Sequence, residues 1–403
     1  MKTMKKYCVA ALLLVVALSL ILPGCGDDTT QTSEKPDEIL VASLIDISGP
    51  YAAILKPMVP ALAAAQEYVN TELDGIDGVP LRMIYRDYGG DISTGIARWG
   101  ELMAMDPKPK FVMVQHTDLC VALKERAVED DVILISTATS ATLYPPANSF
   151  AYAPSYEDFV GGFIDWLAEN HPGDKMAILT WDTSYGRGPI TDEVYDYAEQ
   201  KGVDIVATEL FGVRDVDVTS HLARIRDAGA KWIYSNTTGG GPTAILKGAD
   251  ELDYDFTLVG CLGIDETLLK SVSAEEAEGV MTILHHKTLA DPVQGAEKLN
   301  EYFDLYGSEE SVGGAFPYEF KYALVIRETI SNAVDEVGWE NLNTSAIKDQ
   351  LVQLDDFPIL TDVEFVTYTE DRRSPTKVCM LQFKDGVLLS ITDFFELPDL
   401  TVR

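Results

Sequence analysis

The chain has 403 residues, with 31 Lys and Arg against 65 Asp and Glu, a formal net charge of −34. That length suits two or three globular units, and 46% hydrophobic with 24% charged residues is apolar enough to bury a core. So acidic a surface excludes nucleic acid, whose phosphates need basic partners, and excludes adhesion to anionic lipid headgroups by charge.

The first segment is a leader. Lys2, Lys5 and Lys6 precede an apolar run over 9–22, broken only by Ser19. That run is too short to span a bilayer and fits a secretory signal peptide, residues 1–24. It ends in Leu22-Pro23-Gly24-Cys25. A small residue directly before Cys at this point looks like a bacterial lipobox, which makes Cys25 the lipidated first residue of the mature chain. Residues 25–37 are rich in Thr, Ser, Asp and Pro and read as a tether. Of the remaining cysteines, Cys120, Cys261 and Cys379 show no CxxC spacing. They read as buried small hydrophobes, with at least one free thiol because the number is odd.

Beyond the tether, strand and helix patterns alternate. Apolar runs predict strands over 38–47, 81–85, 110–114 and 132–136. Helical spacing predicts helices over 60–72, 94–105 and 121–129. The rhythm resumes with helices over 159–170, 189–201, 221–228 and 244–252, and strands over 175–181, 204–209, 232–236 and 257–261. Helices over 295–306 and 318–337 follow, then two strands flanking the turn Lys384-Asp385-Gly386. Alternation of this kind implies parallel sheets with crossover helices, so the fold class is α/β with two doubly wound, Rossmann-like lobes.

In open parallel sheets ligands bind beyond the carboxyl ends of the strands. The segments there are crowded with hydroxyls, glycines and Tyr. They are Asp46 through Tyr51, His116-Thr117-Asp118, Thr137 through Thr142, Asp182 through Gly186, Thr237 through Gly241, and Leu262 through Asp265. Each suits a helix N-cap; six in one chain suit a site for a carboxylate or a similar small anion. Tyr51, Trp181, Tyr185, Phe316 and Tyr318 add aromatic surface for an aromatic or branched apolar body.

Enzyme signatures are missing. There is no Gly-x-Ser-x-Gly elbow, and the glycines at 239–241 are not followed by Lys-Ser/Thr as in a phosphate loop. His285 and His286 are adjacent, so on a strand they point to opposite faces and do not share a metal. They read instead as a segment crossing between lobes. Glu275-Glu276 and Asp371-Arg372-Arg373 read as solvated surface. No cofactor or metal is expected.

The order and spacing of Ser48-Gly49-Pro50, Ile135 through Ser140, Tyr185-Gly186-Arg187-Gly188, Ala228-Gly229-Ala230 and Gly314-Ala315-Phe316 carry a resemblance. Over nearly the whole mature chain the sequence resembles type I periplasmic solute-binding proteins of the leucine/isoleucine/valine-binding kind, receptors of branched-chain amino-acid ABC importers. The resemblance implies a three-crossing hinge, placed near Ala153-Pro154-Ser155, near 284–287 and near 357–361. One lobe is then 38–154 with 288–357, the other 155–287 with 358–403. It implies a monomeric extracytoplasmic lipoprotein that closes over a solute and delivers it to a membrane permease. A ligand-sensing partner of a signalling receptor is the other role the resemblance allows.

Carried over residue by residue, the ligand's polar groups meet Thr117 or Asp118, Ala138 and Ser140 in the first lobe, and Tyr185 and Thr238 in the second. Phe316 matches an apolar contact, and Tyr51 joins the candidate site from the aromatic surface of its own loop. The family's ammonium-pairing carboxylate falls on Leu262, and its first-lobe disulfide has no cysteine pair here. A buried ammonium without a carboxylate is costly. A carboxylate ligand lacking an α-amino group is therefore expected, unless Asp118 or Asp265 restores an amino-acid site.

Overall fold

The computed structural model describes residues 35–136, 143, 148–290, 296–308, 315–359 and 365–401. One compact unit, Pro36–Arg403, holds both lobes. Cys25 and the expected leader, residues 1–24, lie outside the described residues. Among those residues no helix is long and apolar enough to cross a membrane.

The first lobe begins β1 (Ile39–Ile45), α1 (Met58–Glu72), β2 (Leu81–Asp87), α2 (Ile92–Met103), β3 (Phe111–Val114), α3 (Thr117–Glu129), β4 (Ile133–Ser136) and β5 (Ser149–Ala151). These strands form a parallel sheet in the order β2-β1-β3-β4-β5. Side chains alternate between its faces, as period-2 geometry requires. Ile39, Val41, Ile45, Phe111 and Met113 join one core, while Ala42, Leu44, Val112 and Val114 join the other. Both faces are covered, which is why these strands are apolar throughout rather than alternating.

The second lobe runs α4 (Tyr156–Asn170), β6 (Lys175–Trp181), α5 (Asp192–Lys201), β7 (Asp204–Phe211), α6 (Thr219–Ala228), β8 (Trp232–Ser235), α7 (Gly240–Glu251), β9 (Thr257–Cys261) and β10 (Met281–Leu284). Its sheet is parallel through β7-β6-β8-β9-β10. Again the faces alternate: Ala177, Leu179 and Trp181 pack with Leu222 and Ile245, and Met176 and Ile178 with Phe159 and Phe163.

The chain then returns as α8 (Ala296–Tyr306), α9 (Ala315–Val337) and α10 (Thr344–Leu351). Ile326 and Ile330 of α9 pack in the first lobe's core with Val69 of α1. The last strands are β11 (Phe357–Pro358), β12 (Phe365–Val366), β13 (Lys377–Lys384), β14 (Val387–Ser390) and β15 (Phe395–Glu396). β13 joins the second sheet antiparallel to β10, with β14 beyond it.

The third return differs from the sequence expectation. β11 and β12 pair antiparallel, so the chain doubles back, and Ile359, Val366 and Tyr368 stay in the first lobe's core. The Tyr368 hydroxyl donates to Ala151 O at 2.8 Å. The passage to the second sheet therefore falls between Tyr368 and Lys377, not near 357–361. Arg372 is also not solvated surface. Its guanidinium reaches the fully buried Asp158 at 3.2 Å, and Arg373 lies over the Phe150 ring. Glu276 is exposed and closes a capping box with Ser273. His285 and His286 are buried in the crossing after β10, their rings each 5.0 Å from Tyr318. Cys120, Cys261 and Cys379 are all buried.

Candidate functional site

Each sheet reverses its strand order once among the parallel strands, between β1 and β3 in one lobe and between β6 and β8 in the other. Crevices open at the carboxyl ends of such strands. One cleft with about 750 Å³ of empty space lies there. The segments after β1 and β3 supply Tyr51, His116, Thr117 and Asp118. Those after β6, β8 and β9 supply Thr183, Tyr185, Thr238, Leu262, Gly263 and Asp265.

The β1 loop is held by two carboxylates, one of them buried. Asp46, fully buried, accepts from Gly49 N at 2.5 Å and Tyr51 N at 3.0 Å. Asp87 accepts from Ile47 N, Ser48 Oγ and Gly89 N. Burial pushes the Asp87 carboxyl up, and these hydrogen bonds outweigh it and hold it below the usual range. Gly49 is obligatory: a Cβ there would stand 2.3 Å from Gly89 O. The loop so fixed directs the Tyr51 ring against His116, centroids 5.1 Å apart, and against Trp181 at 6.3 Å. Burial, then the nearby Asp118 and Asp46, push the Tyr51 phenol up to about 12.

His116 is the N-cap of α3, its Nδ1 accepting from Leu119 N at 3.4 Å. Burial holds its pKa below the ordinary value against the pull of Asp118 and Asp46, so the imidazole is neutral at pH 7. Thr117 Oγ1 is 2.9 Å from the Tyr156 hydroxyl, and Ser184 Oγ donates to Asp118 Oδ1. Both bonds join the two lobes.

In the second lobe Thr183 caps the short helix Ser184–Arg187. Tyr185 donates to Cys261 O at 3.2 Å and packs edge-on against Tyr156 at 5.0 Å. Thr238 is 2% exposed, and its Oγ1 has no hydrogen-bond partner among the described residues. Leu262, directly after β9, sits at φ 45°, a left-handed backbone that is strained for a residue with a side chain. Gly263 packs so tightly that a Cβ would lie 2.5 Å from Thr237 O. Asp265 caps the 3₁₀ turn Glu266–Lys270 through Thr267.

Seven residues chosen from sequence thus line one cleft: Tyr51, Thr117, Asp118, Tyr185, Thr238, Leu262 and Asp265. Ala138 and Ser140 lie outside the described residues. Phe316 falls in the first turn of α9. Sequence reasoning missed Tyr156, Gln115 and the apolar floor of Ile54, Leu55 and Met58. Tyr156 had a signal: it opens the helix directly after the crossing at Ala153-Pro154-Ser155. Ile54 and Leu55 had none, since they belong to a four-residue helix too short for a periodic pattern.

The described cleft wall carries carboxylates, neutral hydroxyls and aromatic rings, with no Lys or Arg among the described lining residues. Among the described residues no group of three His, Cys, Asp or Glu is placed to hold a metal. The arrangement encloses a small solute with an apolar body and offers hydrogen bonds at its ends.

Two doubly wound lobes with a cleft across their switch points define a bilobal α/β architecture. A family model described as periplasmic binding protein matches residues 38–386, and the chain belongs to that family. It is similar to a leucine-, isoleucine-, valine-, threonine- and alanine-binding protein of Pseudomonas aeruginosa, 22% identical over 269 residues, 64% of this chain and 70% of that protein. Its fold resembles that of a branched-chain amino acid ABC transporter protein from Thermus thermophilus with bound valine: TM-score 0.78, 19% identity, 91% of this chain and 98% of that one. It equally resembles a fatty acid ABC transporter substrate-binding protein from Thermomonospora curvata: TM-score 0.78, 17% identity, 91% and 94% covered.

Proposed function

We propose that this chain is the extracytoplasmic solute-binding receptor of an ABC importer. It captures a small carboxylate-bearing solute with an aromatic or branched apolar body and delivers it to a membrane permease. The observation that carries the reading is a cleft to which both lobes contribute, with Tyr51, Thr117 and Asp118 on one wall and Tyr185, Thr238, Leu262 and Asp265 on the other. A ligand touching both walls favours the closed arrangement by its differential contacts, which is how binding drives a hinge. The names of the relatives support the transport role, and one of those relatives is named for fatty acids, a carboxylate class without an amino group. Ala138, Ser140 and Phe316 belong to the proposed site by resemblance. The protein acts as a monomer held to the membrane by a lipid on Cys25, and it binds without turnover.

A thermal-shift screen over amino acids, aromatic acids and short-chain carboxylates tests this. A saturable rise in Tm for one class, with the ligand recovered unchanged, is the expected result. Chemical conversion of a ligand, or no shift with any of the three classes, overturns the reading.

A second reading has its own observation. Asp118 and Asp265 line the same cleft as Leu262, so a carboxylate other than the family's is within the wall that an ammonium would face. On that reading the ligand is an amino acid, and neutralising one of the two aspartates abolishes its binding.

A further inference from the structure

Asp118 stands in the first turn of α3, next to the buried Thr117. Ser184 opens the short helix that follows β6. One belongs to the first lobe and the other to the second, and Ser184 Oγ donates to Asp118 Oδ1. Two contacts flank this bond across the same gap: Thr117 Oγ1 to the Tyr156 hydroxyl at 2.9 Å, and the Tyr51 ring against Trp181. Those flanking groups are buried or half-buried. Asp118 is half-buried and Ser184 is exposed, so their bond lies at the rim of the cleft. A rim bond can break and re-form in contact with water without stranding a buried charge. A carboxylate acceptor also makes it stronger than a neutral pair. The Ser184 end is held in place by its own lobe, because Thr183 Oγ1 accepts from Gly186 N at 3.1 Å.

We propose that Asp118 and Ser184 form a latch between the lobes, so that Asp118 is a positioning residue for closure and not the counter-ion of a ligand ammonium. The inference deepens the receptor reading, and one of its measurements needs no ligand. A latch exists only in the closed arrangement. It therefore slows release of any enclosed solute by the same factor, whatever the solute's charge. A counter-ion instead acts on ammonium-bearing solutes alone.

The test uses the full chain and its Ser184→Ala, Asp118→Ala, Asp118→Asn and Ser184→Ala/Asp118→Ala variants. Small-angle scattering of the solute-free protein gives the radius of gyration. Stopped-flow tryptophan fluorescence gives the dissociation rate of leucine and of 4-methylpentanoate. The latch predicts that Ser184→Ala and Asp118→Ala each enlarge the radius of gyration, and that each speeds dissociation of whichever probe binds by about 3- to 10-fold. The double variant adds nothing further, and Asp118→Asn, which keeps an acceptor for Ser184, loses less than Asp118→Ala. The latch is overturned if Ser184→Ala changes neither quantity, or if Asp118→Asn and Asp118→Ala weaken leucine equally and leave 4-methylpentanoate untouched. Failure of both probes to bind contradicts the carboxylate reading, while the scattering comparison still decides the latch.

Discussion

Thr238 is the residue whose chemistry is most incomplete. Its hydroxyl is buried, lines the cleft and lacks a hydrogen-bond partner among the described residues, a condition that costs about 1–3 kcal/mol until a ligand atom satisfies it. Thr238→Val keeps the shape and removes the hydroxyl. It is expected to weaken ligand binding by about 5- to 150-fold, read by calorimetry, while leaving Tm unchanged or slightly higher. Unaltered affinity would remove Thr238 from the site. A second orphan is not among the residues that line the cleft. Glu319 on α9 is fully buried, both its carboxyl oxygens lack partners among the described residues, and burial pushes its pKa up to about 8. The folded protein then keeps a proton that the unfolded chain has released, so stability falls as pH rises from about 4.5 to about 8. Glu319→Gln mimics the protonated acid. Its thermal unfolding curve should match the parent near pH 5 and lie at higher Tm at pH 8 to 9; parallel curves at every pH would contradict the buried acid.

At the scale of elements, the alternation of strands and helices was readable because both faces of each sheet are covered, which leaves continuous apolar strands between amphipathic helices. The loops that build the site were readable for a related reason, since the turn after a parallel strand must supply caps and glycines. The third crossing was not. Its location depends on β11 pairing with β12 and on Tyr368 reaching Ala151, contacts that no local pattern encodes. Arg372 was misread for the same cause: Asp158 lies 214 positions away, and a charged triplet in a row reads as surface. The second crossing was expected at 284–287 and falls directly after β10, where His285 and His286 are buried. Burial, reinforced by Lys321, lowers the His286 pKa to about 4. The unfolded chain binds that proton at higher pH, so stability is fully present above about 6.5 and falls as pH drops towards 4. Glu319 contributes the opposite slope over part of this window, so a variant and not the parent's curve separates the two. Relative to its own stability at pH 7, His286→Gln should lose about 2 kcal/mol less than the parent on moving to pH 5, measured by urea unfolding. An equal loss in both proteins would show that His286 does not titrate in the crossing.

At the scale of the whole molecule, three passages join the two lobes and the cleft is lined from both; on the proposed function, closure is the event that ligand binding controls. Cys25→Ser should move the protein from the membrane fraction to the soluble fraction. One acyl chain alone binds a bilayer only marginally, so stable attachment needs the several chains of a lipoprotein modification. Sedimentation with membranes in high salt after that substitution would contradict the anchor.

The departure at Leu262 gives the ligand question its sharpest form. By the resemblance, Leu262 falls where the family's ammonium-pairing carboxylate is expected, and it lines the cleft. Asp265 already caps Thr267, and Asp118 already accepts from Ser184. The most direct measurement is a calorimetric titration of the protein with leucine and phenylalanine alongside 4-methylpentanoate and 3-phenylpropanoate. One-to-one binding is expected, in which a deaminated acid binds more tightly than its amino counterpart. Tighter binding of leucine or phenylalanine, lost in Asp118→Asn or Asp265→Asn, would contradict it and identify an amino-acid site.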